Sequence, residues 1–489
     1  MAIEETEETT APLTRPDGKS ASAGAAATEQ RGASAAARAR ADERRSALLT
    51  APVLPTLLGL ALPTMTVLIA QTAVNIAEAW YVGFLGTEAL AGAALVFPIF
   101  MLMTMMSNGG LGSGVASSVA RAIGAGRRDD ADAFLFHAMV LAVIVGAVFT
   151  LAAIFAGPVL YRALGGSGEA LAASISYSNY LFAGAIPVWI VNLQAAALRG
   201  SGNVRVPALV TLVGALVTIP LSPILIFGLG PFPRLGIGGA GIAFGLYYSA
   251  AMLFLLRYMA SGRSGLTFRA VALRGALFAD MLRIGIPTAV NSLLTNLTVI
   301  LVTGTVGLFG TSALAGYGIS SRLDYMMIPL LFGIGTATLT LVGVNMGAGQ
   351  TARARKCGWI GGILGLLLTG TIGLAVAFFP TAWLHLFSHD GDAVREGTTY
   401  LRIVAPAYGA FGFGFVVSFA TQGAGRAMWP VAASLARMLV AAGGSWFAVT
   451  AFGAGMAGLA AMVMAATLAY AAVCTTAMLL PSVWRADKR

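Results

Sequence analysis

The chain has 489 residues, of which 57% are hydrophobic and only 10% charged, and its formal net charge is +10. Soluble domains carry about 25% charged residues, so the composition excludes an ordinary soluble enzyme or binding domain and points to a membrane protein. The positive balance does not imply nucleic acid, because the basic residues are strung along short segments between apolar runs, as membrane orientation requires.

Residues 1–47 are rich in Ala, Glu, Arg and Ser with almost no large apolar side chain. They are expected to form a disordered tail, since such a composition cannot bury a core. The tail has no apolar h-region, so the first spanning helix is expected to serve as the targeting signal. Runs of the roughly 20 apolar residues needed to cross a bilayer predict helices at 53–84, 88–113, 132–157, 174–198, 206–228 and 238–260. A second set is predicted at 277–305, 312–340, 358–380, 398–421, 430–452 and 456–480. The fold class expected is therefore all-α and polytopic, with twelve transmembrane helices. The predicted division is a tail (1–47), a six-helix lobe (48–262), a linker (263–276), a second lobe (277–480) and a C-terminal tail (481–489).

Loops after helices 2, 4, 6, 8 and 10 hold fourteen basic residues, among them Arg127, Arg128, Arg199, Arg353, Arg355 and Lys356. The alternate loops hold four: Arg162, Arg234, Arg395 and Arg402. This bias places the even-numbered loops and both termini in the cytoplasm. The halves also repeat. "YVGFLGTEALAG" (81–92) matches "TVGLFGTSALAG" (305–316), "VARAIGAGRRDDADA" (119–133) matches "VGVNMGAGQTARARK" (342–356), and "ALRGSGNVRVP" (197–207) matches "ATQGAGRAMWP" (420–430). The offset is 223 or 224 throughout, and Pro63 pairs with Pro287. Six helices return the chain to its starting side, so the lobes are expected to be related by a pseudo-twofold along the membrane normal, with a site between them.

Of the 20 acidic residues, eight lie in the tail and ten in loops, helix ends or the C-terminus, which leaves Glu78 and Asp324 inside spanning runs. Arg322 also falls inside. An intramembrane ionisable group is a functional-site candidate, because burying its charge is expensive. Thr64, Gln71, Asn75 and Glu78 are spaced 7, 4 and 3 apart, which is one helical stripe. Helix 7 carries Thr288, Asn291, Thr295 and Thr298 at 3, 4 and 3. Lipid cannot satisfy a polar stripe, so both are expected to line one cavity from opposite lobes. Glu78 has Val302 as its repeat mate, so the carboxylate belongs to the first half alone. Arg322 and Asp324, two residues apart, are expected on different faces of helix 8. The Met-rich segment 101–106 and Phe411, Phe413, Phe415 and Phe419 read first as packing or lipid contacts. Cys357 and Cys474 stand far apart, and His137, His385 and His389 form no metal-binding pattern.

The paired glycine loops, "SSRLDYMMIPLLFGIGTATLTLVGVNMGAGQTARAR" through helix 8, and "LIFGLG" with "GIGGAGIA" around helices 5 and 6 together resemble the multidrug and toxic compound extrusion family over about residues 50–480. The resemblance implies two six-helix lobes in a V around a central cavity. It also implies export of small amphipathic, often cationic, compounds in exchange for protons or sodium. In that family helix 1 carries an acid, usually Asp; here Glu78 stands at that position in "AEAWYVG". Pro63 matches a proline at which helix 1 is thought to bend, and Gln71 a cavity glutamine. One branch of the family has an Asn and an Asp in helix 5, where this chain has Thr218 and Ser222. Another has a Glu in helix 7, where this chain has Thr295, and helix 10 (402–422) has no acid. A sodium site of several carboxylates is hard to assemble from these residues, whereas one carboxylate suffices for a proton. Protons are therefore favoured over sodium, with no cofactor. Asn75 is expected beside Glu78 at the ion site. Thr64, Gln71, Thr218, Ser222, Asn291, Thr295, Arg322 and Asp324 are expected at the cavity, and Pro63 as the hinge. The expected setting is a monomer in the plasma membrane. The rival reading is a flippase for lipid-linked oligosaccharides, whose pyrophosphate would call for several basic residues in the cavity. An enzyme is disfavoured, since no nucleophile–base set, carboxylate pair or metal cluster lies in or beside the spans.

Overall fold

The structure, a computed structural model, describes residues 35–485, and among these there are helices and turns but no strand. Twelve spans follow one another: α1 (Val53–Gly83), α2 (Thr87–Gly124), α3 (Arg128–Ala163), α4 (Gly168–Ala183 and Ala185–Gly200, bent by 47°), α5 (Arg205–Phe227) and α6 (Ile237–Ala260). The second six are α7 (Gly275–Phe309), α8 (Thr311–Gly347), α9 (Thr351–Phe378), α10 (Gly391–Gly423), α11 (Met428–Phe452) and α12 (Met456–Leu479). Every predicted helix is present. The largest departure is at the end of α2, which runs past the expected 113 to Gly124, and α8 likewise runs past 340 to Gly347. Those extra turns carry glycines at their closest approach, and they pack on each other rather than on lipid.

The lobes are related by a pseudo-twofold that the backbone records residue by residue. Gly86 and Gly310, 224 apart, open α2 and α8 with φ of 106° and 95°. Gly126 and Gly349 have φ of 77° and 75°, and Gly202 and Gly425 have 79° and 80°, each pair 223 apart. Glycine reaches these left-handed conformations at little cost. The repeat legible in the sequence is thus a repeat of turns. The breaks in α4 and α10 also correspond: α4 bends at Gly184 and α10 passes through a 3₁₀ turn at Ala405–Ala407.

Each lobe buries its own apolar cluster, and each lends its first helix to the other. Leu57, Leu60 and Ala61 of α1 pack with Met327, Leu331 and Ile334 of α8, whereas Leu277 and Met281 of α7 pack with Leu111, Val115 and Val119 of α2. The lobes are fastened on the face that carries both ends of the described chain, called here the terminal face. There Ser117 Oγ donates to Gln422 O (2.6 Å), and its repeat mate Thr340 Oγ1 donates to Arg199 O (3.1 Å). Arg121 Nη2 holds both carboxylate oxygens of Asp280, at 2.9 and 2.8 Å. The linker is tied to the first lobe by Thr267 N on Asp132 Oδ1 and Arg274 N on His137 Nε2, both at 2.8 Å. Exposed large side chains such as Phe155, Val159, Leu253 and Ile300 cover the flanks, as a lipid-facing surface requires.

One expectation fails here. Residues 35–47 of the expected disordered tail belong to a helix spanning 35–50, while 1–34 and 486–489 lie outside the described residues. Ala, Arg, Glu and Leu are good helix formers, and this helix docks. Its Ala37 and Leu48 are buried. Arg45 donates to the last carbonyls of α2, Ile123 O and Gly124 O, both at 2.8 Å, where a helix C-terminus attracts a cation. Asp42 pairs with Arg128, and Leu48 O accepts from Asn345 of α8 (3.2 Å). The docked charges and carbonyls supply what the poor apolar content lacks.

Candidate functional site

A cavity of about 230 Å³ lies between the lobes. It is lined by Gln71 of α1 and by Thr288, Asn291 and Thr295 of α7, so both polar stripes contribute to one space. Asn108 of α2, Phe332 of α8 and Phe415, Phe419 and Gln422 of α10 complete its wall. The threonine hydroxyls give their protons to their own helix: Thr288 to Ile284 O (2.7 Å) and Thr295 to Asn291 O (2.9 Å). Asn291 Oδ1 accepts from Ser434 of α11 (2.5 Å). What faces the cavity is therefore mostly acceptor lone pairs, amide groups and aromatic edges.

Asn108 lies in a single π-turn, Met106–Leu111, inside α2. Such an insertion rotates the following residues relative to a straight helix and recurs at functional sites. Beside it, Ser107 Oγ accepts from Asn192 Nδ2 (2.8 Å), tying α2 to α4.

Glu78 lies two turns further along α1 from Gln71, on the side away from the terminal face. Its Oε1 is buried and has no hydrogen-bond partner. The phenols of Tyr177 and Tyr248 stand within electrostatic reach of its carboxylate. Tyr248 also shares a 40 Å³ pocket of the first lobe with Thr64 and Gln71. A lone carboxylate oxygen in this setting is costly as an anion and is relieved by a proton or a cation. Asn75 is half-buried on the same helix and lines none of these cavities. Pro63 sits inside α1 where that helix crosses α8 at Gly333; a Cβ there would lie 2.3 Å from Met65 Cγ.

Asp324 lines a different chamber, of about 80 Å³, inside the second lobe. Tyr317, Tyr400, Tyr408 and Arg437 share it, and Arg437 Cζ lies 5.1 Å from the ring centroid of Phe411. Thr295 lines both this chamber and the central cavity.

Three expected cavity residues lie elsewhere. Arg322 is exposed, with its guanidinium carbon 5.0 Å over the ring of Phe387, so its long stem carries the charge away from the cavity. Thr218 and Ser222 are buried on α5 and line none of the cavities described. Among the described residues no group of three or more His, Cys, Asp or Glu is gathered closely enough to hold a metal ion.

The residues missed from the sequence are Asn108, Tyr177, Tyr248, Arg199 and Arg437. Asn108 and Arg437 were open to notice, since each is a polar residue inside a predicted run (88–113 and 430–452). Arg199 stands one residue beyond the predicted helix 174–198 and so counts as a loop charge, yet its side chain lines the first-lobe pocket.

The family model MatE matches residues 63–224 and 287–447, two stretches that begin at the paired prolines. A FAD transporter of Shewanella oneidensis is 28% identical over 80% of this chain and 87% of its own. A probable multidrug resistance protein, YoeA, of Bacillus subtilis is 26% identical over 72% of this chain and 77% of its own. Among solved structures, the outward-facing conformation of a multidrug resistance MATE family transporter of the MOP superfamily superposes with a TM-score of 0.81 at 25% identity, over 88% of this chain and 96% of that one.

Proposed function

The chain belongs to the MatE family of multi-pass membrane transporters, and from that premise we propose that it exports small amphipathic, often cationic, compounds in exchange for protons. The observation that carries the reading is Glu78, an acid two turns beyond Gln71 on α1 whose Oε1 is buried and unpartnered.

With Glu78 ionised, the first lobe is polar and favours a cationic substrate in the central cavity. Proton uptake from outside removes that charge and lowers the cost of burying α1 against its neighbours. The helix then bends at Pro63, where it crosses Gly333, and substrate is expelled as the space narrows. Coupling requires only that the two conformations differ in proton affinity, and one pKa unit of difference is about 1.4 kcal/mol of bias. The close packing at the terminal face supports assigning the present state as open on the opposite side. The loop charge bias supports a plasma-membrane protein with that terminal face in the cytoplasm. The name of the Shewanella relative supports a substrate range wider than xenobiotic cations.

The test is transport by purified protein in liposomes under separately imposed proton and sodium gradients. The proton gradient alone is expected to drive substrate against its concentration difference. Transport driven by sodium alone, with no response to a proton gradient, overturns the proton assignment.

A further inference from the structure

We infer that Arg199 forms an anion-binding subsite at the terminal-face end of the first-lobe cavity, which takes the carboxylate or phosphate of an amphipathic substrate. Arg199 stands at the end of α4, and its side chain lies in the pocket beside Asn192 and Ala195 of its own helix. No acidic residue lines that pocket. Arg199 Nε is buried without a hydrogen-bond partner. In the same pocket the Tyr247 hydroxyl stands beside the Thr211 hydroxyl, so a polar wall faces the guanidinium. An unsatisfied donor on a cation therefore lies at one small space with no counter-charge. A buried charge of this kind is costly until an opposite charge reaches it.

The fold does not need this charge. Its repeat mate is Gln422, and the two residues do the same backbone work: Arg199 O accepts from Thr340 and Gln422 O from Ser117. A neutral amide side chain suffices at one of the two positions, so closure of the terminal face does not require the guanidinium. Glu78 does not neutralise it either. The pocket reaches Thr64 and Gln71, which precede Glu78 by fourteen and seven residues, about 21 and 10 Å of helical rise.

Size and connection name the ligand class. The pocket holds about 40 Å³, room for about three waters and hence for a carboxylate or phosphate but not for a carbon skeleton. It shares Leu68, Gln71, Asn108 and Phe332 with the 230 Å³ central cavity. The ligand is an organic anion whose charged group enters the pocket while its apolar body lies in the central cavity against Phe332. This rests on the reading above that the central cavity carries substrate.

The experiment is equilibrium binding to purified protein in detergent, without any gradient, using 1-naphthoate, 1-naphthyl phosphate and neutral 1-naphthol. Wild type is expected to bind at least one of the two anions about tenfold tighter than the neutral compound, and the tighter anion names the preferred group. Arg199→Gln is expected to erase that preference and leave 1-naphthol unchanged, Arg199→Lys to keep most of it, and Tyr247→Phe to lower anion binding severalfold. Equal binding of all three compounds by wild type overturns the inference, even if Arg199→Gln fails to fold. So does an Arg199→Gln protein, with a wild-type melting profile, that keeps the preference. Failure of proton coupling leaves these affinities untouched, so the two readings fail separately.

Discussion

Gly124 and Gly347, 223 residues apart, are each pressed against the helix that bears the other. A Cβ on Gly124 would lie 2.0 Å from Val344 O, and one on Gly347 would lie 2.1 Å from Arg121 O. Val344 and Arg121 are themselves 223 apart, so this is one contact made twice. With the paired hydrogen bonds of Ser117 and Thr340 it forms a symmetric seal across the terminal face.

The seal predicts the effect of one methyl group. Gly347→Ala forces two backbones apart, and overpacking of this kind costs about 1–3 kcal/mol. The variant is expected to melt at lower temperature. A cysteine at position 117, on the α2 side of the seal, is expected to react faster with a thiol reagent than in the parent. An unchanged melt together with unchanged labelling would mean that the seal is not tight.

The docked helix separates two deletions. Removal of residues 2–34 is expected to leave transport intact. Removal of 2–50 takes away Asp42, Arg44, Arg45 and Leu48, which touch α2, α3, the linker and α8. It is expected to lower both thermal stability and transport at equal membrane abundance. Equal behaviour of the two deletions would show that the docking contributes nothing.

Glu78→Gln is expected to abolish gradient-driven export while the protein folds and still binds substrate. Glu78→Asp is expected to keep partial activity, since the carboxylate remains on the same helix. Wild-type export by Glu78→Gln, with the same response to pH, would pass the coupling role to Asp324.

Arg322 and Arg437 are expected to behave oppositely. Arg322→Ala removes a surface stacking contact on Phe387 and is expected to leave transport within about twofold of wild type, since isolated surface changes are usually within about 0.5 kcal/mol. Arg437→Leu leaves Asp324 without the cation that shares its chamber. Removing one of two opposite charges in a shared chamber leaves the other uncompensated, whereas replacing both with apolar groups is often tolerated. Thermal melts of Arg437→Leu, Asp324→Asn and the double variant test this: the double is expected to melt above Arg437→Leu alone. If it melts below both single variants, the two groups do not act on each other.

Orientation has its own check. With the buried Cys357 and Cys474 replaced, a cysteine at exposed position 127 is expected to resist an impermeant reagent applied to intact cells. Labelling there reverses the assignment of the terminal face.

Much of this protein was legible in its residues because the signals were local. Span length, the glycine of each turn and the repeat are written within short windows, and the structure realises all three: twelve spans, and paired glycines with nearly equal φ. The Gln71 and Thr288–Asn291–Thr295 stripes were legible for the same reason, since helical spacing alone selects a face. The helix at 35–50 was not legible. Its stability comes from docking on carbonyls and charges that lie 78 to 297 residues away in the chain.

The sequence by itself determined the number of spans, their pairing in two lobes and which helix faces are polar. Only the tertiary structure decided which charges lie inside. Arg322, in the middle of a predicted span, projects outward over Phe387, whereas Arg199, at a helix end, lines an internal pocket. A long side chain on a flexible stem carries its charge well away from its own Cα. The packing of neighbouring helices, which no local pattern records, determines whether that charge meets water, an aromatic ring or an empty pocket.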